Sequence, residues 1–471
     1  MVRVQAGRRY RNGPERSARA VAMPISSIIA QLTFARGVHP PECKDLAEYC
    51  PIEVLPTPAK VVIPLLQHLG ALCLATVKPR QEVELGDMVG EATAPVSAPV
   101  HASVRGRIGR PTTVTLPNGR HVPAIVIEAA ADQPLEGDAL LAEMVAGEYT
   151  TDQLGHYMPQ AIRQAAHAAG LVGLGGAAFP THIKLSPREE TPIDTLLING
   201  CECEPYLTAD DQLMQVGSRP ILSGALLAQI ATGASRVIVA IEGNKPRAIQ
   251  AMEEAIRGTA IEMCILKPTY PQGGEKQLID AVLRREIPAG KLPLDVGVVV
   301  MNVGTAAALA RAVVHGRPLT HRVVTVSGGG IRRPANVLVP VGASYRQLIE
   351  HCGGLRDSAV RIVAGGPMMG FTLGSLDAPV TKGTSGITVL SEREVRRAKE
   401  TPCLRCGRCV EVCPMHLVPT KLGLAARAQN AELARRHHIS ACVECGCCAY
   451  VCPAQLPLVQ LIRLGKVLAR H

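Results

Sequence analysis

Apolar positions change period several times along the chain, and each change predicts a different kind of structure. From about Gly37 to Asp132, short β-rich runs (Lys60–Leu65, Cys73–Val77, Ala124–Ile127) are set apart by Gly and Pro turns and predict an all-β unit. From about 150 to 315, apolar residues at helical spacing alternate with compact apolar runs. Pro159–Ala169 reads as a helix closed by Gly170, Thr195–Ile198 as a strand, Ile221–Thr232 as a helix, Val237–Ile241 as a strand and Lys245–Ile256 as a helix. Val296–Met301 then reads as a strand running into a helix over Thr305–Val314. That alternation predicts an α/β sheet domain. Arg322–Val326 and Ala335–Val341, with a helix over Tyr345–Cys352 closed by Gly353-Gly354, predict a small β-grasp unit. The stretch 356–390 is Gly-rich with short strands. Ser391–Glu400 predicts a helix, and Thr420–His438 another, with Leu422, Leu424, Ala425, Leu433 and Ala434 apolar.

Within the first unit, the segment Val77-Lys-Pro, Gly86-Asp-Met-Val-Gly and Ser97 to Gly106 resembles half of a biotinyl/lipoyl-type barrel. A carrier of that type presents a lysine for its prosthetic group. No lysine occurs between positions 79 and 183, which excludes the carrier function and leaves a structural or docking module. Length is consistent with several units, since 471 residues correspond to about three average domains.

Charge and composition remove two further classes. The formal net charge of +10 invites a nucleic-acid reading, but aromatics are only 2% with no Trp, so the stacking platforms that bind single strands are missing. No nucleic-acid partner is expected. The two most apolar stretches are Ile221–Ile241, interrupted by Arg236, and Leu292–Val314, interrupted by Asp295, Asn302 and Arg311. Neither supplies the roughly 20 apolar residues of a membrane span. The first thirty-four residues carry Arg3, Arg8, Arg9, Arg11, Arg16 and Arg19. Arg8-Arg9 raises a twin-arginine export signal, but Ala20–Ala30 holds Pro24, Ser26 and Ser27 without a clear cleavage site. The expectation is a disordered basic extension, or a start at Met23.

The sixteen cysteines carry the chemistry. Nine lie between Cys403 and Cys452, in two copies of C-x2-C-x2-C-x3-C-P: Cys403, Cys406, Cys409, Cys413 with Pro414, and Cys442, Cys445, Cys448, Cys452 with Pro453. This is the spacing of two-cluster ferredoxins, in which the fourth cysteine of each run ligates the other cluster. The rule assigns Cys403, Cys406, Cys409 and Cys452 to cluster one, and Cys413, Cys442, Cys445 and Cys448 to cluster two. Zinc sites use two knuckles or add His and need no third Cys at this spacing. Cys447 is surplus, a small residue in its loop. Residues 391–471 hold 13 Lys/Arg against 6 Asp/Glu, net +7, which offsets anionic clusters and would steer an acidic electron carrier.

A second signal is Gly170-Leu-Val-Gly173-Leu-Gly175-Gly176-Ala-Ala-Phe179-Pro180, followed by Lys184. A helix precedes this loop where a dinucleotide fold would place a strand. Glycines at 173, 175 and 176 let backbone N–H groups approach a phosphate, and Lys184 adds a cation; an ordinary glycine turn is the alternative. Asn199-Gly-Cys201-Glu202-Cys203-Glu204-Pro205 follows a strand, where α/β sheets bind ligands, and Glu202 and Glu204 are candidate acceptors for ribose or ribityl hydroxyls. Cys201 and Cys203 read as small buried residues beside those acids, and Asp210 and Asp211 as the N-terminal cap of a helix.

Gly173–Lys184, Asn199–Pro205, Tyr270-Pro-Gln-Gly-Gly-Glu-Lys276, Asn302-Val-Gly-Thr305 and both cysteine motifs together resemble the C subunit of the Rnf ion-translocating electron-transport complex, in order over most of the chain. More distantly the chain is similar to the NADH-binding flavoprotein subunit of respiratory complex I. The resemblance implies FMN and NAD(H) at one site, with two [4Fe-4S] clusters. Gly173, Gly175, Gly176 and Lys184 would hold the FMN, Asn199, Glu202, Asn302 and Thr305 would line it, and Phe179 would lie beside the nicotinamide. Cys201, where the complex I flavoprotein has an acid, and Met301, where it has a second Asn, depart from that pattern. Glu242-Gly-Asn244-Lys245 matches the Rnf pattern as a weaker nucleotide-site candidate. The long low-complexity tail of some members is missing before His471.

The resulting expectation is a multidomain α+β chain. It comprises a basic extension (1–34), a biotinyl/lipoyl-like β barrel-sandwich (35–135), an α/β FMN/NADH domain (136–317) and a β-grasp unit of soluble-ligand-binding type (318–356). A Gly-rich connection and linker helix (357–399) then leads to an α-helical ferredoxin-like 2[4Fe-4S] module (400–471). The implied function is an electron-input subunit, peripheral on the cytoplasmic face of the inner membrane. Its expected partners are the other subunits of a membrane-embedded electron-transport complex, with ferredoxin a further candidate. Competing readings are a soluble flavin/iron–sulfur reductase such as a cobalamin reductase, a non-enzymatic iron–sulfur relay, and a zinc-stabilised interaction module.

Overall fold

The computed structural model describes residues 32–469 apart from 148, 150, 189 and 397. The basic extension and its Arg8-Arg9 pair, up to residue 31, lie outside the described residues. At the centre of the fold is a four-stranded parallel sheet in the order Glu262–Leu266, Arg236–Glu242, Thr195–Gly200, Val298–Asn302. These strands are apolar runs because both faces are covered. Leu196, Ile198, Val239 and Met301 pack in one core with the helices Ser218–Thr232 and Val303–His315. Leu197, Ile238 and Val300 pack in another with Leu278 and Ile279 of the helix Glu275–Leu283. The last strand begins two residues later than its apolar run, because Pro293–Val296 forms a 3-10 turn ended by Gly297 at φ 74°.

The order matters more than the strand count. From Thr195–Gly200 the chain crosses one way to Arg236–Glu242 and Glu262–Leu266, whereas Val298–Asn302 adds on the opposite side. The carboxyl ends of Thr195–Gly200 and Val298–Asn302, with Asn199 and Asn302 in register, therefore flank the topological switch point, where parallel α/β sheets leave a ligand crevice.

The amino-terminal β unit is a sandwich of two small sheets, one built on Lys60–Pro64 and His121–Ala129 and the other on Leu74–Ala75, Met88–Glu91 and Val100–His101. Val61, Ile63, Val89, Val100, Ile125 and Ile127 fill the space between them. The β-grasp unit forms around Tyr345–His351, whose Ser344 and Gln347 make a capping box. Its sheet reaches beyond 318–356: Ile52–Val54 joins one edge, and Gly386–Ser391, Ala359–Ala364 and Phe371–Thr372 complete the other.

Two helix expectations are corrected. Residues 392–396 and 398–400 are turn and extended chain where the linker helix was expected; Ser391 ends a buried strand, and Glu394 folds back to accept from the Ser391 amide and hydroxyl. The helix expected over Thr420–His438 is two, Pro419–Arg427 and Ala431–Arg436. Gln429 turns the chain at φ 50°, and the Asn430 side chain accepts the Leu433 amide to start the second helix. No described helix is long and apolar enough to cross a membrane.

Candidate electron-transfer site

The expected flavin residues converge at the switch point. Asn302 caps the helix Val303–His315 by accepting from the Gly304 and Thr305 amides at 2.9 and 3.3 Å. Its Nδ2 donates to Asp210 at 2.6 Å. The glycine loop is tied to the same helix, since the Leu174 amide donates to Thr305 Oγ1 at 2.9 Å. A Cβ at 175 would sit 2.8 Å from Asn302 Nδ2 and 3.0 Å from the Asn302 Cβ, so a larger residue there would have to displace the Asn302 side chain. Gly176 faces open space, and Gly175, Gly176 and Ala177 are exposed. Phe179 is partly buried, and its carbonyl closes the loop by accepting the Gly173 amide. Lys184 reaches the end of the neighbouring strand, pairing with Glu275 and donating to the Val300 carbonyl at 3.3 Å.

On the adjacent strand end, Asn199 Nδ2 donates to the Gly273 carbonyl and its Oδ1 accepts the Cys201 amide. Glu202 accepts the Asp210 and Asp211 amides at 3.0 and 3.3 Å, so this acid anchors the start of the helix Ala209–Val216, while the two aspartates lie in its first turn rather than at its cap. Burial, then the charge of Glu202, pushes Asp210 up to about 7. Glu204 differs from its expected role. Its carboxylate turns away from the crevice and accepts the Met368 and Met369 amides at 3.1 and 2.8 Å. The segment Glu242–Lys245 is also closed: Lys245 pairs with Glu242 at 2.8 Å with both side chains buried, and Glu242 accepts the Glu202 amide.

Sequence reasoning missed Lys44 and Lys382. Lys44 is buried and donates to the carbonyls of Glu202, Glu204 and Leu207, fixing the acidic loop from the amino-terminal side. Lys382 is buried and donates to the carbonyls of Pro99 and Gly170, both at 2.7 Å, so one ammonium joins the β sandwich to the base of the glycine loop. A lysine bound only to distant carbonyls leaves no local sequence pattern.

In the carboxyl-terminal module the two cysteine motifs interlock. One cavity is lined by Cys413 together with Cys442, Cys445 and Cys448. Cys406 and Cys452 both lie close enough to Cys409 to push its thiol up, and the Thr401 amide bonds the Ala454 carbonyl, which brings the start of the first motif beside the end of the second. Cys403 and Cys406 are exposed, while Cys409 and Cys452 are buried. Among the described residues no three His, Cys, Asp or Glu side chains converge as ligands of a single ion would. The donor set suits iron–sulfur clusters. Burial pushes the Cys409 and Cys448 thiols up and Cys442 to about 11, which by itself keeps these sulfurs protonated; bound cationic iron would favour the thiolates instead.

The module docks on the sheet domain through the loop of the second motif. Cys203, Tyr270, Val38, Met368, Cys445 and Cys447 share one apolar cluster, and the Tyr270 hydroxyl donates to the Cys445 carbonyl at 2.7 Å. Cys447, surplus to the motif, is buried in that contact.

Comparisons with known proteins identify the units of the chain. Family models match in chain order: the RnfC barrel sandwich hybrid domain over 32–132, the Nuo51 FMN-binding domain over 166–311, the SLBB domain over 323–372 and the 4Fe-4S dicluster domain over 402–456. The C subunit of the proton-translocating ferredoxin:NAD(+) oxidoreductase complex of Clostridium ljungdahlii is 41% identical over 86% of this chain and 87% of its own. The chain belongs to the RnfC family. Two more members are the C subunit of the ion-translocating oxidoreductase complex of Rhodobacter capsulatus, 42% identical over 91% of this chain and 82% of its own, and the C subunit of the Na(+)-translocating ferredoxin:NAD(+) oxidoreductase complex of Acetobacterium woodii, 40% identical over 83% and 86%. Among solved structures, the NAD+-reducing [NiFe]-hydrogenase in its H2-reduced state aligns with TM-score 0.48 and 19% identity over 70% of this chain and 64% of that one.

Proposed function

We propose that this RnfC-family chain is the electron-input subunit of an ion-translocating ferredoxin:NAD oxidoreductase complex, holding FMN and two [4Fe-4S] clusters and exchanging electrons between NAD(H) and the complex's other subunits. The observation that carries this reading is the docking of the interlocked cysteine motifs, through Cys203 and Tyr270, beside the switch point of a parallel sheet.

When bound, FMN exchanges a hydride with NAD(H) and passes electrons singly to iron–sulfur clusters. The chain's residues hold and orient. Amides of Gly175 and Gly176 suit the phosphate, with Lys184 as the nearby cation, while Gly173, whose amide is taken by the Phe179 carbonyl, would shape the loop and not donate to the phosphate. Asn199, Glu202, Asn302 and Thr305 would line the flavin, each fixed by the bonds described above, and Phe179 would lie beside the nicotinamide. Cys413, Cys442, Cys445 and Cys448 would hold the inner cluster, on the side where Cys445 meets Tyr270. Cys403, Cys406, Cys409 and Cys452 would hold the outer one, where Cys403 and Cys406 are exposed. Val38, Tyr270 and Met368 pack with Cys203 and Cys445 in the contact between the sheet domain and the cysteine loop.

In the assembled complex the chain is placed on the cytoplasmic face of the inner membrane, bound to membrane-embedded subunits. Anaerobic purification with iron, sulfide and flavin quantitation, followed by NADH reduction monitored by EPR, tests the reading. About eight irons and one flavin per chain, with clusters reduced by NADH, are expected from two cubane sites and one FMN; an iron-free or flavin-free protein overturns it. Recovery only in the soluble fraction of cells expressing all partners would favour a soluble reductase instead.

A further inference from the structure

The turn Gly365-Gly-Pro-Met-Met-Gly370 lies between the acidic loop of the sheet domain and the loop of the second cysteine motif. On one side, Glu204 accepts the Met368 and Met369 amides, and a Cβ at Gly366 would stand 2.2 Å from a Glu204 carboxylate oxygen. On the other side, Gly446, between Cys445 and Cys447, packs so closely that its Cβ would meet the Met368 carbonyl at 2.6 Å. Arg463 ties the same turn to the module: it donates to the Met369 carbonyl at 2.8 Å, pairs with Glu444 at 3.0 Å and lies over the Phe371 ring at 4.3 Å. The turn closes on itself through the Gly370 amide and the Gly366 carbonyl, and Thr388 holds the Gly365 carbonyl. Lys44 fixes the backbone from which Glu204 projects.

We propose that Glu204 is a positioning residue for electron transfer: by gripping the 365–370 turn, it sets how closely the cysteine loop 442–448 approaches the switch-point crevice. The proposal rests on the function given above. Two carboxylate oxygens matched to two successive amides make a bidentate clamp that an amide side chain, with a single acceptor oxygen, cannot reproduce. The carboxyl is buried, and burial, before the opposing Met368 and Met369 amides, pushes it up to about 7. A buried acid beside a redox loop is thus held by the same turn that positions the loop.

The test compares Glu204→Gln and Gly366→Ala with the wild-type chain, all loaded with flavin and clusters and mixed with NADH under stopped flow without oxygen. Gly366→Ala presses on the clamp from the opposite side and alters no charge. In both variants flavin bleaching keeps its wild-type rate and iron and flavin contents are unchanged, while cluster reduction slows severalfold, because electron transfer across a gap weakens steeply with distance. Glu204→Gln in addition moves the midpoint potential of the inner cluster, which Gly366→Ala leaves in place. Wild-type cluster reduction in both loaded variants overturns the proposal. A wild-type chain whose flavin is reduced by NADH but whose clusters never are overturns the underlying function and this proposal together.

Discussion

Lys382 shows what a single residue contributes and how pH reports it. The residue is 1% exposed and its ammonium donates to Pro99 and Gly170 carbonyls, with no carboxylate in ion-pair contact among the described residues. Burial lowers its pKa to about 7 from 10.5. Between those values the unfolded chain binds more protons than the native one, so this group makes stability rise with pH across that window. Lys382→Met abolishes that dependence and strips two buried carbonyls of their donor, at a cost of about 1–3 kcal/mol. The cost should be larger at pH 9.5 than at pH 7, by nearly the slope of one titrating group, about 1.4 kcal/mol per pH unit, multiplied by the interval between them, as read from urea unfolding at the two values. Thr305→Val makes the complementary test at the glycine loop. It leaves the buried Leu174 amide without its acceptor, costing about 1–3 kcal/mol, and should weaken FMN retention measured by flavin fluorescence after dialysis. Neither lysine contact nor threonine contact is legible in sequence, since the partners lie more than 130 residues away.

At the scale of elements, the two cysteine motifs behave as one unit because Cys413 shares its cavity with Cys442, Cys445 and Cys448. This gives a discriminating experiment. With crossed ligands, Cys403→Ser and Cys413→Ser damage different clusters, and the double variant loses both EPR signals. Were each motif to hold its own cluster, the double variant would keep one signal and half the iron. The same scale explains the helix that divides at Gln429 and Asn430. Its apolar spacing continues through both halves, so periodicity alone reads one helix, but the Asn430 cap starts a new one. Asn430→Ala should cost about 0.5–2 kcal/mol and raise amide exchange at Leu433, whose N–H loses its acceptor. The failed linker helix has a similar cause, as Glu394 bonds back to Ser391, Tyr206 and Gly329 and holds the segment against the β-grasp sheet.

Over the whole molecule, charge is unevenly placed. Residues 391–471 carry +7 of the formal +10, and the exposed Cys403, Leu404 and Cys406 lie in this basic part of the chain. Electron exchange with an acidic carrier should therefore slow about tenfold or more between low and physiological ionic strength, measured as the bimolecular rate, because surface charges are screened beyond about 10 Å at 0.1 M. An unchanged rate would show that the outward cluster meets its partner through apolar contact alone.

Much of this protein was written in local sequence. Strand and helix alternation made the α/β domain, turn-separated short strands made the sandwich, and cysteine spacing named the cluster chemistry, because each depends on residues within a few turns of one another. What only the tertiary structure decided is long-range pairing: that Asn199 and Asn302 meet in register at the switch point, that strands from both ends of the chain complete the β-grasp sheet, and that Glu204 faces a distant turn instead of the crevice. Such contacts join residues tens to hundreds of positions apart, and no period or motif encodes which buried donor a given carbonyl will find.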